Sequence, residues 1–128
     1  MGLPGEEGLF LDLRPAGTAE GVKKRFPPPY FLAFLDGAKA SDKAGLMDEI
    51  APALKFPAYF GKNWDALLDC LRSLPNDLPA GGYALAILNS GAFLSASAQD
   101  LEDFADVAGE ARSFLREKFK ADFVIILL

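Results

Sequence analysis

The sequence predicts an α/β domain in which helices pack on a three-stranded parallel sheet. Three apolar segments have the length and composition of buried strands: Tyr30–Gly37, Tyr83–Leu88 and Asp122–Leu128. Helical patterns between them give the order strand, helix, helix, strand, helix, strand. Strands joined by helical crossovers favour parallel pairing with right-handed connections. The last segment, DFVIILL, is almost continuously apolar, which is typical of a central strand covered on both faces.

The first part of the chain differs in composition from the rest. The chain has 128 residues, which is long enough for one domain with a single core. Residues 1–29 are rich in glycine and proline, so we expect an N-terminal extension there and the folded domain in residues 30–128. Within the extension, Leu9–Leu13 alternates like a short strand, and the basic run Lys23–Arg25 is expected in a solvated loop.

The first two helices of the domain have recognisable boundaries. Ser41 is a suitable N-cap for the first, and Pro52 should end or kink that helix near the preceding residue. Asn63 is the expected N-cap of the second helix, which should run to about Leu74 and stop at Pro75.

A long third helix is predicted from about Ala98 to Phe119. Its apolar residues recur at helical spacing. Acidic residues crowd its start and basic residues its end, a polarity that complements the helix dipole. A structural role therefore suffices to explain those charges.

The composition excludes several classes of function. The chain has no histidine and a single cysteine, Cys70, so a histidine-containing triad and a Cys/His zinc site are both excluded. Carboxylates, lysine and tyrosine remain as possible catalytic side chains, and we expect no metal and no cofactor. The net charge of -5 disfavours direct binding of nucleic acid. No apolar run reaches the roughly 18–20 residues of a membrane span, and MGLPGEEGLF lacks signal-peptide features, so we expect a cytoplasmic protein.

The stretch FPAYFGKNWDALLDCL, residues 56–71, places two aspartates one helical turn apart. On a helical wheel, Asp65 and Asp69 share one side with Lys62 and Arg72. The apolar residues form a neighbouring strip at i, i+3, i+4, i+7 spacing, made of Trp64, Leu67, Leu68, Leu71 and Leu74. The two carboxylates therefore project side by side at the edge of an aromatic and apolar strip.

Three interpretations fit this arrangement. In the first, the face is merely solvated, and ion pairs Lys62–Asp65 and Asp69–Arg72 contribute about 0.2–0.5 kcal/mol each. In the second, the acids are a catalytic pair, which requires environments that split two pKa values, yet both lie beside cations and no nucleophile or metal motif accompanies them. In the third, two carboxylates beside a tyrosine and a tryptophan suit a partner's cationic pocket.

The same stretch resembles the most recognisable segment of the barstar family, intracellular inhibitors of barnase-type ribonucleases. The family pattern P-x-Y-[YF]-G-x-N-x-D-A-L-x-D-C-L is matched without a gap from Pro57 to Leu71. The order of elements from Tyr30 to Leu128 is similar to the family fold, and DFVIILL resembles its final strand. The resemblance is dense only in residues 56–71, and residues 1–29 lie outside it.

The resemblance implies an inhibitor, and not an enzyme, that occludes a ribonuclease active site with an acidic helix and loop. Asp69 matches the aspartate that occupies the phosphate pocket, and Asp65 matches a second acidic anchor. The implied partner-binding residues are Tyr59, Gly61, Asn63, Trp64, Asp65, Leu68, Asp69, Ser73, Leu74 and, as the candidate for a glutamate on the last helix, Glu117. The implied partner is a basic, extracellular-type ribonuclease similar to barnase, or a related toxin, bound by a monomer.

Some residues depart from the family pattern. Lys62 and Arg72 add positive charge beside the acidic anchors. Leu68 stands where the family often has tryptophan, while Trp64 lies one turn earlier on the same side, and Ser73–Leu74 replaces a Gly-Trp pair. The alternative is therefore an immunity or binding module on the same fold, directed at a different basic toxin or protein partner without ribonuclease inhibition.

Overall fold

The computed structural model describes residues 8–14, 16–58 and 60–128. Predictions that concern residues 1–7, Pro15 and Tyr59 lie outside the described residues. The elements, in chain order, are β1 (Phe10–Asp12), α1 (Ala19–Arg25), β2 (Tyr30–Asp36), α2 (Lys43–Ala53), α3 (Trp64–Arg72), α4 (Leu74–Asp77), β3 (Gly82–Leu88), α5 (Ala98–Phe119) and β4 (Asp122–Leu127). A short 3-10 helix, Ser90–Ala92, follows β3.

The strands form one parallel sheet in the order β1-β4-β3-β2. The predicted α/β class with a parallel sheet is confirmed, and within the described residues the sheet has four strands rather than three. The fourth strand is β1, in which Phe10 lies opposite Ile125 of β4. Since β3 pairs with the other edge of β4, the apolar C-terminal strand is internal to the sheet, as its composition predicts.

Helices cover both faces of the sheet. The larger core lies between one face of the sheet and α2, α3 and α5, and it includes Leu46, Leu67, Leu85, Phe104 and Ile125. The smaller core lies on the opposite face, where Val22 of α1 packs with Ala84, Ala86 and Ile126. Helices α3 and α1 are therefore on opposite sides of the sheet.

The expectation of a solvated loop at Lys23–Arg25 is wrong, because these residues form the last turn of α1. The helix is capped by Thr18, whose Oγ1 accepts a hydrogen bond from the N–H of Gly21 at 3.0 Å. The three bases lie at the negative end of the helix dipole. The decisive contribution to the stability of α1 is the burial of Val22 against the sheet. This tertiary contact cannot be inferred from local composition.

Helix α2 differs from its predicted bounds at both ends. Its N-cap is Asp42 rather than Ser41, and the Oδ1 of Asp42 accepts a hydrogen bond from the N–H of Gly45 at 2.7 Å. Pro52 lies inside the last turn, and the helix continues to Ala53. A proline there removes one hydrogen bond only, and the N–H of Leu54 still reaches the Ile50 carbonyl at 3.0 Å.

The end of α3 also differs from prediction. The helix ends at Arg72, and after Ser73 the chain begins the separate turn α4 with Pro75 in its first turn. Proline suits that place because the first helical N–H groups have no partner within the helix.

The predicted bounds of α5, Ala98–Phe119, are confirmed. Across the described residues, no helix combines the length and apolar character needed to cross a membrane.

We expect Val22→Ala to lower the free energy of unfolding by about 1–3 kcal/mol, because it removes two methyl groups from a fully buried side chain. Urea denaturation followed by circular dichroism measures this change. Lys24→Ala, an exposed substitution on the same helix, is the matched control and should change the free energy by less than about 0.5 kcal/mol. Equal stability of the two variants would show that α1 does not contribute to the cooperative fold.

Candidate partner-binding site

The start of α3 is fixed by local hydrogen bonds and by a buried aromatic residue. Asn63 is the N-cap, as predicted, and its Oδ1 accepts a hydrogen bond from the N–H of Ala66 at 2.8 Å. Before the cap, Lys62 has a left-handed backbone with φ of 54°. Phe60 is buried and stacks edge-to-face on Phe56 at 5.1 Å between ring centroids. The loop therefore enters α3 in one defined orientation.

The apolar face of α3 fixes the rotation of the helix. Leu67 and Leu71 are fully buried in the larger core. Trp64 and Leu68 pack against the edge of this core and stay half-buried. Leu74 is only 1% exposed, so its side chain is not on the surface that the other predicted contact residues share.

The rotation of α3 leaves Asp65 and Asp69 exposed on the outer side. Among the described residues, neither carboxylate has an ion-pair partner, so the pairs Lys62–Asp65 and Asp69–Arg72 do not form. Lys62 Nζ lies 3.0 Å from Asp48 Oδ1 on α2 instead. Both cations are thus directed to acids of other helices, and within the described residues no cation forms an ion pair with either aspartate.

Arg72 connects α3 to the middle of α5. Its Nη2 lies 3.9 Å from Oε1 of Glu110, and its guanidinium lies over the ring of Phe114 at 5.3 Å from the centroid. Its Nε is buried, with no hydrogen-bond partner in the described part of the chain. Arg72 therefore acts mainly as a packing contact between two helices, and Glu110 offsets its charge.

A small hollow extends the acidic surface beyond α3. It has a volume of about 50 Å³ and is lined by Asp69, Cys70, Ser73 and Asp77. Sequence reasoning missed Asp77 because it ended the helix at Pro75. The signal was present, since Asp65, Asp69, Ser73 and Asp77 recur at four-residue spacing. We call Asp65, Asp69 and Asp77 the acidic strip.

Cys70 is one of the residues that line this hollow, and it is 8% exposed. Burial, and after it the charges of Asp69 and Asp77, raise the pKa of its thiol. The thiol is therefore protonated at neutral pH and a poor nucleophile. Its burial and its protonated thiol indicate a structural role.

Glu117 is exposed on α5. It follows Glu110 and Phe114 at i+7 and i+3 spacing, so all three lie on one side of the helix. This is the side that meets Arg72 of α3. Glu117 therefore lies on the flank of α5 that carries the contacts with Arg72.

The remaining predicted contacts lie near the two ends of α3. Asn63 and Gly61 are exposed in the loop that precedes α3. Ser73 is half-buried at the C-terminal end of α3. Lys43 of α2 places its Nζ 5.1 Å from the centroid of the Trp64 ring. Tyr59 lies outside the described residues. No group of three or more histidine, cysteine, aspartate or glutamate residues within the described ranges is arranged to hold a metal ion.

The fold and this surface define a class of protein: a parallel α/β domain that presents acidic residues from a capped, half-buried helix. The family model described as Barstar (barnase inhibitor) matches residues 30–127, and the chain therefore belongs to the barstar family. The chain is also similar to a Bacillus subtilis (strain 168) protein described as "Putative ribonuclease inhibitor YrdF", with 36% identity over 89 residues, 67% of this chain and 90% of that protein. The match to the family model begins at β2, so β1 and α1 lie outside it.

We expect Asn63→Ala to lower the free energy of unfolding by about 0.5–2 kcal/mol, because the side chain that caps α3 is lost. Asn63→Asp is the matched control, since aspartate caps helices about as well as asparagine. Thermal or urea unfolding of the three proteins measures the difference. If Asn63→Asp were as destabilising as Asn63→Ala, a role other than capping would have to explain the result.

Proposed function

We propose that the protein binds a ribonuclease of the barnase type and blocks its active site with α3 and the loop that precedes it. Membership of the barstar family supports this proposal. The observation that carries it is the pair of exposed aspartates, Asp65 and Asp69, whose neighbouring cations are bound to acids on other helices.

Electrostatic complementarity explains why such a surface suits a ribonuclease. An enzyme that cleaves RNA holds phosphates, so its active site is cationic. An acidic surface meets it with a complementary potential, which speeds encounter and fixes the register of docking. The net charge of -5 acts in the same direction. The mechanism is occlusion without turnover, so the protein is an inhibitor and not an enzyme.

The contacts divide by their chemistry. Asp69 takes the position of an RNA phosphate in the enzyme, and Asp65 is a second anchor one turn earlier. Trp64 and Leu68 supply the apolar surface beside these anchors, which excludes water from the charged contacts. Polar contacts at the rim come from Tyr59, Gly61, Asn63, Ser73 and, on α5, Glu117. Leu74 is buried and supports the α3–α4 junction from beneath.

The direct test is an inhibition titration. A barnase-type ribonuclease is assayed on RNA with increasing amounts of the purified protein. For a tight inhibitor, activity should fall linearly and vanish at one inhibitor per enzyme, as expected for a cytoplasmic monomer. Full activity at a large molar excess would refute the proposal. Binding to another basic toxin without ribonuclease inhibition would favour the alternative of an immunity module.

We expect Asp69→Ala to weaken binding at least about thirtyfold, because partner cations would be left buried and unpaired at a cost on the order of 2–5 kcal/mol. Asp65→Ala should weaken binding to a lesser degree. Calorimetric titration measures both. Asp106→Ala removes an exposed carboxylate elsewhere, on α5, and should leave affinity nearly unchanged. The three variants should melt within a few degrees of the original protein, since surface changes stay within about ±0.5 kcal/mol.

We expect Lys62→Ala to leave affinity equal or to increase it, because it removes a like charge and frees Asp48 to face a cationic partner. The gain should appear in the association rate at low salt and diminish at high salt. Stopped-flow mixing measures the rate.

Arg72→Ala should likewise leave affinity equal or increase it, but it should lower the stability of the free protein, since the contact with Phe114 is lost. Weaker binding of Lys62→Ala, with Asp69→Ala unchanged, would indicate an acidic partner.

A further inference from the structure

A cavity of about 290 Å³ lies at the carboxyl edge of the sheet, on the side that α5 covers. Its floor is apolar and buried, made by Phe93, Leu94 and Leu127. Its exposed lining residues include Arg14 of the segment after β1 and Gly91 of the segment after β3. The volume is near the lower end of the range for small-molecule sites, roughly 300–1,000 Å³.

The topology of the sheet produces this cavity. After β1 the chain leaves toward α1 on one face, and after β3 it leaves toward α5 on the opposite face. The carboxyl end of β4 lies between these two strands. A crevice forms where neighbouring connections diverge, and in open parallel sheets such crevices are the usual place for ligands.

The backbone around the cavity is held in uncommon conformations. Asn89 and Leu94 both have positive φ, 52° and 50°, and for a bulky residue such as Leu94 this is costly. Hydrogen bonds hold the segment in place: the N–H of Leu94 donates to the Ala40 carbonyl at 2.9 Å, and Ser90 Oγ donates to the Leu128 carbonyl at 2.8 Å. The cavity is therefore a constrained feature of the fold rather than a gap in a loose loop.

The lining of the cavity includes two sources of hydrogen-bond donors. Arg14 donates from Nε and Nη2 to the carboxylate of Asp12 at 2.9 and 2.8 Å. A guanidinium has five N–H groups, so three remain for a ligand. Ala98, the first residue of α5, also lines the cavity, where the helix presents N–H groups without partners in the helix.

Acids beside these two donor groups limit the charge that a ligand can carry. The hydrogen bonds from Arg14 lower the pKa of Asp12 to about 2, so at neutral pH this carboxylate is ionised and offsets much of the guanidinium charge. Asp100 adds a second acid in the first turn of α5. A doubly charged phosphate would be repelled by both, whereas a singly charged group is compatible with the site.

We propose that this cavity binds a small amphipathic monocarboxylate, with its apolar part on the Phe93–Leu94–Leu127 floor and its carboxylate toward Arg14 and the start of α5. Arg14 and Phe10 come from the β1 segment, outside residues 30–127 that the family model matches. The cavity is separate from the proposed ribonuclease-binding surface, because no residue of the acidic strip lines it. Ribonuclease inhibition therefore neither requires nor tests it.

The probe is hexanoate, added to the isotope-labelled full-length protein while amide resonances are monitored by NMR. Hexylamine, of the same length and opposite charge, is the ligand control. We expect saturable shifts near Gly91, Leu94 and Ala98 with hexanoate and none there with hexylamine. About 10 mM ligand would occupy most of a site whose Kd is near 1 mM. No shift at this concentration, or equal binding of both probes, would overturn the proposal.

Three variants locate the binding. Gly91→Leu adds a side chain where a Cβ has no heavy atom within 4 Å, so it should fill the opening without disturbing the fold and should abolish binding. Arg14→Gln should weaken binding about tenfold, as loss of a charge-assisted hydrogen bond predicts. Asp12→Asn should strengthen hexanoate binding, because Arg14 then lacks the carboxylate that offsets its charge. Hexanoate binding that is unaltered by Arg14→Gln and Asp12→Asn would refute the proposed site even if Gly91→Leu failed to fold.

Discussion

The burial of β4 on both faces and both edges is the constraint on which the rest of the structure depends. Alternate residues of this strand enter opposite cores, with Ile125 in the larger and Ile126 in the smaller, and both are fully buried. Parallel sheets are stable only when both faces are covered. The strand therefore needs β1 and β3 as neighbours, α5 on one face, and α1 on the other. Strand β1 and helix α1 are part of this arrangement because they complete the cover of β4.

The position of the acidic strip follows from the same core. Leu67 and Leu71 are buried beneath α3, so the helix has one possible rotation, and Asp65 and Asp69 must point outward. The ion pairs nearby contribute little to stability, since exposed pairs are typically worth about 0–1 kcal/mol. Their consequence is electrostatic: Asp48 draws the charge of Lys62 away from the exposed acids. The helix face can then present negative charge despite the cation in its entry loop.

Local signals predicted those parts of the fold that local interactions determine. The bounds of α5 and the cap at Asn63 were predictable because caps, periodicity and dipole-compatible charges all lie within the segment. Helix α1 was not predictable, since its stability depends on Val22 meeting a sheet built from distant residues. Similarly, a helical wheel shows that Lys62 and Asp65 are neighbours, but only the fold brings Asp48 to 3.0 Å from Lys62. Membership of the family was predictable because its densest motif is continuous in sequence.

The two sides of the sheet differ in charge, and this difference bears on how a partner approaches. Helix α1, on one side, carries Lys23, Lys24 and Arg25 with a single acid, Glu20. The acidic strip and the acid-rich helix α5 are on the other side. Such a separation orients a molecule in the field of a charged partner before contact, and its effect extends over about one Debye length, roughly 8 Å at physiological salt. The net charge of -5 thus understates the potential at α3, because the basic residues that reduce it include a cluster on the far side of the sheet. The fold that buries β4 between two layers is also what keeps this cluster away from the acidic strip.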